Sequence, residues 1–195
     1  PAVTGRADPV LVVGGGPAGL EAALTLGRRG VPVVLAEAGE PGGRVLREAR
    51  LPGLTEWRRV VDGRLSQLSR VDRVTIYPGS TMTAADVVET GLRHVLVATG
   101  SLWRADGRGR SLPGGAASFL DPRTLTPDAV LDGARPGGPV VIFDDEGYHI
   151  AAGLADLLAS EGLAVTYVTA AGTVAEWATY TVEQARLQAR LIDRG

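Results

Sequence analysis

The stretch VLVVGGGPAGLEAALTL, from Val10 to Leu26, decides the fold of this chain. A short apolar run meets three glycines, and apolar residues at helical spacing follow, so the stretch predicts a buried strand, a tight turn and a helix. Gly14, Gly16 and Gly19 fit the spacing G-x-G-x-x-G. In that context the first glycine permits the turn, the second lets a pyrophosphate approach the backbone, and the third lets helix and strand pack closely.

A second strand is predicted from Val31 to Ala36, and Glu37 ends it about 18 residues after Gly19. A carboxylate at this place can accept hydrogen bonds from an adenosine ribose and repels a 2′-phosphate. Pro17 and Ala18 open the helix, where amide groups and the helix dipole favour phosphate. Together these features predict an adenine-nucleotide site, and the alternative is that the glycines merely permit a tight strand–helix turn.

The rest of the chain follows the same alternation. A second strand–turn–helix–strand unit is predicted from Pro139 to Val168, after a long glycine-rich connection over Ser101–Leu125. Ala38–Leu54 is predicted to be a loop. Other predicted elements are a helix over Thr55–Arg70, strands over Arg73–Tyr77 and Arg93–Ala98, a short helix capped by Thr83 with Asp86, a helix starting at Thr126-Pro127, and a last helix over about Val182–Ile192.

Composition excludes several functions. The 195 residues include no cysteine, so disulfides and thiolate metal sites are excluded, and the formal net charge of −2 gives no reason to expect nucleic acid or a membrane as partner. We therefore expect a soluble cytoplasmic protein. His94 and His149 leave little scope for imidazole chemistry, and we predict neither a catalytic residue nor a metal ligand.

The second unit reads VVIFDDEGYHIAAGLADLL, from Val140 to Leu158, and its turn carries acids where a nucleotide site needs glycines. Asp144, Asp145 and Glu146 would repel a phosphate by about 1–4 kcal/mol in partly wet surroundings. The acids could also cap the next helix, which is compatible with the first interpretation. Metal binding is a third interpretation, but no further ligand is placed nearby.

Beyond the glycine turn, the chain resembles the FAD-binding half of the glutathione-reductase-like flavoproteins. More closely, it resembles the trimethylamine, dimethylamine and histamine dehydrogenases, which are related to the 2,4-dienoyl-CoA reductases. The motifs that carry this resemblance are GGGPAGLEAA, PGGR (Pro41–Arg44), LPGLTEW (Leu51–Trp57), MTAADVV (Met82–Val88), HVLVATG (His94–Gly100) with its continuation SLWRADG, and LTPDAVLDG (Leu125–Gly133).

The resemblance implies an α/β fold: a Rossmann-like, three-layer βαβ domain of the glutathione-reductase type over residues 1–135, and a partial second, degenerate one over residues 136–195. It implies ADP or FAD in the first domain. FMN and an iron–sulfur cluster would belong to an N-terminal barrel, which this chain lacks. We therefore expect an inactive fragment of an amine-dehydrogenase-like oxidoreductase that passes electrons to a protein. The alternatives are a dienoyl-CoA-reductase-like enzyme using NAD(P)H and a non-catalytic ADP module. An open sheet edge predicts self-association into a homo-oligomer.

Further contacts to the nucleotide are expected around the turn. Gly43 and Arg44 could approach the pyrophosphate, although Arg44 could equally be a solvated loop residue. The resemblance places the backbone near Thr81 and Met82 against the adenine, whereas Met82 could also be ordinary core filler. The remaining predicted cofactor-binding residues are Ala38 beside Glu37, Thr99 and Gly100 at the carboxyl edge of the sheet, and Trp103, which could instead anchor its loop.

Overall fold

A computed structural model describes residues 7–195, apart from the side chains of residues 118 and 119. The chain packs as two compact units. The first comprises the described residues up to Ala49 together with Leu54–Ser101, and the second comprises Arg50–Gly53 and Leu102–Gly195. The predicted boundary after residue 135 concerns the two nucleotide-binding folds and stays a prediction. Over residues 7–195, no helix is both long and apolar enough to cross a bilayer.

The first unit is a four-stranded sheet with helices between its strands. Its strand order is β3-β2-β1-β4, and every neighbouring pair is parallel. The predicted α/β class with parallel βαβ units is thereby confirmed. In chain order the elements are β1 (Val10–Val13), α1 (Pro17–Arg28), β2 (Val33–Ala36), α2 (Val45–Glu48), a 3-10 turn (Thr55–Trp57), α3 (Arg58–Leu68), β3 (Val74–Tyr77), α4 (Ala84–Glu89) and β4 (His94–Val97).

The core of this unit lies between the sheet and the helices α1 and α3. Alternate residues of β1 and β2 point towards them because side chains alternate along a strand. The buried cluster includes Val10, Val12, Val33 and Leu35 of the strands, Leu20, Ala23 and Leu24 of α1, and Val61 and Leu68 of α3. Strand β1 is buried along its whole length, since it has a neighbour on each side. The glycine turn therefore follows an interior strand of the sheet.

The second unit contains a two-stranded parallel sheet of β5 and β6. Its elements are a 3-10 turn (Ala117–Leu120), α5 (Pro127–Leu131), β5 (Val140–Asp144), α6 (His149–Ser160), β6 (Val165–Thr169), a 3-10 helix (Glu176–Thr181) and α7 (Gln184–Arg194). Helix α7 is tied to α6 by Asp156, which is 2% exposed. Its carboxylate lies 3.4 Å from Nε of Arg190 and 3.0 Å from Nε of Arg194.

Two segments differ from the sequence predictions. The predicted loop Ala38–Leu54 contains the short helix α2. The 3-10 helix Glu176–Thr181 was not predicted, and the last helix starts at Gln184 instead of Val182. Both residues that flank this 3-10 helix have left-handed backbone, with φ of 50° at Ala175 and 63° at Val182. Such angles are rare for residues with a Cβ, so sequence propensity gives no signal for them.

Candidate functional site

The glycine turn joins β1 to α1 and depends on two close backbone contacts. Gly14 has a φ of 105°, and a Cβ placed on it would lie 2.3 Å from the carbonyl oxygen of Ala98. A Cβ on Gly19 would lie 1.8 Å from the carbonyl oxygen of Gly14. Both distances are shorter than any real Cβ contact. Glycine is therefore required at both positions by the protein's own backbone.

Gly16 differs from the other two motif glycines. Its backbone is extended, with φ −70° and ψ −177°, a conformation that any residue adopts. A Cβ there would have only one backbone atom within 4 Å, the Cα of Gly43 at 4.0 Å. The protein fold thus leaves room for a side chain at this position, on the side of the turn where the helix begins.

The first amide groups of helix α1 have no hydrogen-bond partner within the helix. Pro17 is its first residue, no side chain caps it, and its first internal hydrogen bond runs from Leu20 N to Gly16 O at 2.9 Å. The amides of Ala18 and Gly19 precede that bond, so they belong to the helix end that carries partial positive charge. Ala18 is exposed. This end of the helix suits an anion.

Glu37 follows β2 and reaches across to the glycine turn. Its Oε2 accepts a hydrogen bond from the Gly15 amide at 2.5 Å, and its Oε1 accepts one from the Gly39 amide at 2.9 Å. These two amides fix the carboxylate next to the turn, as an acceptor for hydroxyl groups. Ala38, which lies between Glu37 and Gly39 in the chain, is exposed.

The PGGR segment approaches the same turn through its backbone. The Gly42 amide donates to the Gly15 carbonyl at 2.8 Å. Gly43 has a φ of 60°, and a Cβ on it would lie 3.0 Å from the Cα of Gly16. Arg44 forms an ion pair with Glu48 at 2.9 Å and donates to the Ser101 carbonyl at 3.1 Å. Arg44 is thus held by protein partners beside the turn, and is not a freely solvated loop residue.

Two further segments reach this edge of the sheet. Ser80 N donates to Glu37 O at 2.7 Å, which brings the following residues, exposed Thr81 and half-buried Met82, beside the acid. The predicted cap is confirmed, because Thr83 and Asp86 form a complete capping box. Hydrogen bonds to Thr83 lower the pKa of Asp86.

Thr99 and Gly100 follow β4 at the same edge. Ala98 N donates to Val13 O at 2.7 Å, so the chain leaves β4 directly beside Gly14. Both Thr99 and Gly100 are exposed, and Gly100 has a φ of 73°. Trp103 belongs to the second unit, where its amide donates to Asp128 Oδ2 at 3.0 Å. This bond uses the backbone of Trp103, so the two roles considered for its side chain, a nucleotide contact and a loop anchor, stay predictions.

The acidic turn of the second unit does not cap α6, and that interpretation was wrong. The residue before α6 is Tyr148, and it provides no side-chain cap. Asp144 instead ends β5 and folds back, so that its Oδ1 accepts from the amides of Glu146 at 3.1 Å and Gly147 at 2.8 Å. Because Asp144 is 3% exposed, its carboxylate sits in the place where these two amides could otherwise meet a phosphate.

Tyr167 completes the environment of Asp144 by donating its hydroxyl to Oδ2. Burial first, and then this hydrogen bond, raise the pKa of the Tyr167 phenol above its usual range. Asp145 Oδ1 accepts from the Ser111 amide at 2.8 Å. In the described part of the chain, no group of three His, Asp or Glu residues is arranged to hold a metal ion.

The two histidines differ in environment. His94 is exposed, with Nε2 4.0 Å from Asp8. His149 is 4% exposed at the start of α6, with Nε2 3.6 Å from Glu183. Neither histidine lies in the glycine turn.

Sequence reasoning missed three residues that shape the first site. Gly15, Gly39 and Gly42 take part through backbone amides or carbonyls, which any residue type possesses. Only the density of glycines around them gave a signal, because glycines cluster where backbones approach closely.

Comparison with known proteins places these features in context. The family model described as pyridine nucleotide-disulphide oxidoreductase matches residues 8–132. The chain is 38% identical over 194 residues to dimethylamine dehydrogenase from Hyphomicrobium sp. (strain x), covering 94% of this chain and 26% of that protein.

Solved structures show the same relationship. The 6-hydroxypseudooxynicotine amine oxidase of Pseudomonas geniculata N1 is 43% identical over 100% of this chain and 29% of its own, with a TM-score of 0.96. Histamine dehydrogenase from Rhizobium sp. 4-9 is 41% identical over 99% and 30%, with a TM-score of 0.90. The resemblance to the amine dehydrogenases is confirmed. The chain spans between a quarter and a third of the length of these relatives.

Proposed function

Because the chain belongs to the pyridine nucleotide-disulphide oxidoreductase family, we propose that its first unit binds an adenine nucleotide, either ADP or FAD. The pyrophosphate lies on the start of α1, against the amides of Ala18 and Gly19. The ribose hydroxyls donate to the carboxylate of Glu37. The backbone at Thr81 and Met82 receives the adenine, and Gly43 and Arg44 close the phosphate side with Thr99 and Gly100.

Gly16 is the observation that carries this proposal. Gly14 and Gly19 are explained by contacts inside the protein, so they are compatible with a turn that binds nothing. Gly16 has an unstrained backbone and room for a Cβ. The protein's own packing does not require a glycine at this position, whereas a ligand that approaches the backbone closely would require one. Gly16 also lies at the start of a helix, which favours an anion.

Glu37 sets the class of nucleotide. Its carboxylate is already held by two amides, so little side-chain entropy is lost when a ribose binds. A 2′-phosphate would bring like charges together at this position. We therefore assign the site to nucleotides with a free 2′-hydroxyl.

The activity of the whole protein belongs to the same proposal. Its relatives carry the names of oxidoreductases that act on amines. We propose an amine-oxidising parent in which FMN and an iron–sulfur cluster reside outside this chain and an electron-transfer protein accepts the electrons. The second unit is structural in this scheme, because Asp144 occupies the amides that a nicotinamide dinucleotide needs. That feature disfavours a parent that uses NAD(P)H.

Calorimetric titration with ADP tests the proposal. We expect saturable binding that Glu37→Ala weakens by at least about tenfold, since a hydrogen bond to a charged group contributes about 1.5–3 kcal/mol. Gly16→Ser should abolish binding without unfolding the chain, because serine is a good helix cap and the fold has room for it. Glu40→Ala, at an exposed carboxylate nearby, is the matched control and should bind as the wild type does.

The same titration with FAD and NAD separates the alternatives. Tighter binding of FAD than of ADP assigns FAD to the site, and equal binding assigns ADP. Binding of NAD with unchanged affinity in Gly16→Ser would contradict the structural role of the second unit. If ADP binds equally to the wild type and Gly16→Ser, the nucleotide does not lie on this turn.

A further inference from the structure

The first unit carries four arginines that the nucleotide proposal does not use, at the edge of the sheet where its strands begin. Arg28 and Arg29 lie at the end of α1, Arg70 follows α3, and Arg73 directly precedes β3. All four residues are exposed. The nucleotide is proposed to lie at the opposite edge, where the strands end, so the two surfaces are separate.

Helix packing brings these arginines together. Nη2 of Arg28 donates to Oε1 of Gln67 at 2.6 Å, which joins the end of α1 to the last turn of α3. A Cβ placed on Gly27 would lie 2.4 Å from Cγ2 of Val74, the first residue of β3. The end of α1 therefore lies directly against the segment that connects α3 to β3, and this segment contains the other two arginines.

Their positive charge is not neutralised within the described part of the chain. The partner of Arg28 is an uncharged amide, and no carboxylate of residues 7–195 forms an ion pair with any of the four arginines. Asp72 lies between Arg70 and Arg73 in the sequence, but it pairs with neither of them and is exposed. Positive charge is thus concentrated at this edge of a chain whose formal net charge is −2.

The helix dipole explains only part of this arrangement. Basic side chains stabilise the last turn of a helix, which accounts for Arg28 and Arg29 at the end of α1. The effect falls off beyond the last turn. Arg73 lies five residues after Leu68, the last residue of α3, so the dipole gives no reason for a positive charge there.

We infer that these four arginines form a docking surface for an acidic segment of a partner protein. The planar guanidinium donates two parallel hydrogen bonds to a carboxylate, so several glutamates or aspartates along a chain match several exposed arginines. A nucleic acid carries charge far beyond the length of this surface and would meet the rest of a net acidic chain. A short acidic segment contacts the arginines alone.

Fluorescence anisotropy of a fluorescein-labelled octaglutamate peptide, titrated with the full chain, tests this surface. We expect saturable binding at about 20 mM salt that weakens at about 200 mM, because salt screens exposed charges. Arg70→Gln combined with Arg73→Gln should weaken binding by about three- to tenfold. Both residues lie outside the helices and strands, so their replacement should leave the melting temperature unchanged.

Arg58→Gln combined with Arg59→Gln is the matched control, and it should bind the peptide as the wild type does. It removes the same charge from the start of α3, where Arg58 pairs with Asp62 and Arg59 with Glu56. An equal loss of affinity in both double variants would mean that the peptide responds to total charge, and would overturn the proposal. Absence of saturable binding at about 20 mM salt would overturn it as well.

Nuclear magnetic resonance locates the peptide without any substitution. In the nitrogen-15-labelled chain, octaglutamate should shift the amide signals of residues 28–30 and 70–73 and leave those of residues 58 and 59 in place; the reverse pattern refutes the docking surface. A labelled octathymidylate that binds more tightly than octaglutamate, and that the Arg70 and Arg73 double variant weakens, would assign the surface to nucleic acid instead. None of these results depends on ADP binding.

Discussion

The same substitution, glycine to alanine within a helix, should have opposite effects at two positions of the first unit. In α3, a Cβ on Gly63 meets nothing within 4 Å, so Gly63→Ala should stabilise the fold by about 0.5–1 kcal/mol through helix propensity. In α1, a Cβ on Gly19 would lie 1.8 Å from the Gly14 oxygen, 1.2 Å inside the 3.0 Å limit for real contacts. The obstacle is a main-chain atom, which cannot rotate away.

The cost at Gly19 can be estimated from this geometry. Forced overpacking costs about 1–3 kcal/mol, and a backbone obstacle places Gly19→Ala near the upper end. After the gain in propensity, the net loss is about 2 kcal/mol, so the two variants should differ by about 3 kcal/mol. The displaced Gly14 carbonyl also moves the turn, so the affinity for ADP should fall in Gly19→Ala only.

Urea unfolding measures this difference. Trp57 lies in the first unit, whereas Trp103 and Trp177 lie in the second, so both variants are made in a chain with Trp103→Phe and Trp177→Phe. The unfolding midpoint from Trp57 fluorescence should fall for Gly19→Ala and rise for Gly63→Ala at an unchanged m-value. If Gly19→Ala is as stable as its parent, the close approach of α1 to the turn is refuted.

Two further predictions concern the second unit. Replacing both Arg190 and Arg194 with methionine leaves the buried carboxylate of Asp156 without a charged partner, which should lower the free energy of unfolding by about 3–5 kcal/mol. Asp156→Ala should lower it by less, about 1–3 kcal/mol, because the side chains of Arg190 and Arg194 are 33% and 48% exposed and can reach water. Thermal unfolding measures both variants, and a lower melting temperature for Asp156→Ala than for the double variant would contradict this reasoning. The raised pKa of Tyr167 means that its stabilising contribution is complete below the unfolded pKa of about 10 and is lost as pH rises towards the folded value. Below alkaline unfolding, phenolate absorbance of the folded wild type and of Tyr167→Phe should therefore rise equally, and an extra titrating group in the wild type would show that Tyr167 is not protected.

Local patterns predicted the elements that build the first site. The stretch from Val10 to Leu26 was expected to form a strand, a tight turn and a helix, and it forms β1 over Val10–Val13 and most of α1, which ends at Arg28. These predictions succeeded because a strand, a turn and a helix depend on neighbouring residues, and the apolar runs and flanking glycines can be seen in the sequence itself. The place of Glu37 at the end of β2 followed from the same periodicity.

Contacts between distant segments could not be predicted in the same way. Glu37 was expected to face a ribose, but its bonds to the Gly15 and Gly39 amides depend on the packing of β2 against β1. The acids after β5 have the composition of a helix cap. Asp144 is instead buried at the end of β5 and accepts a hydrogen bond from the Tyr167 hydroxyl. This contact depends on the packing of β5 against β6, which local sequence does not reveal.

The three motif glycines also have different evolutionary consequences. Gly14 and Gly19 are opposed by carbonyl oxygens, which are the same in every amino acid, so no second substitution elsewhere can compensate for a side chain at either position. A lineage that stopped binding nucleotide would keep both for as long as it kept the fold. Gly16 would be free to change, because no backbone atom opposes a side chain there, whereas Glu37 would still be favoured as the acceptor for the Gly15 and Gly39 amides. Among descendants of such a gene, a retained glycine at position 16 would therefore indicate that the turn still binds a nucleotide.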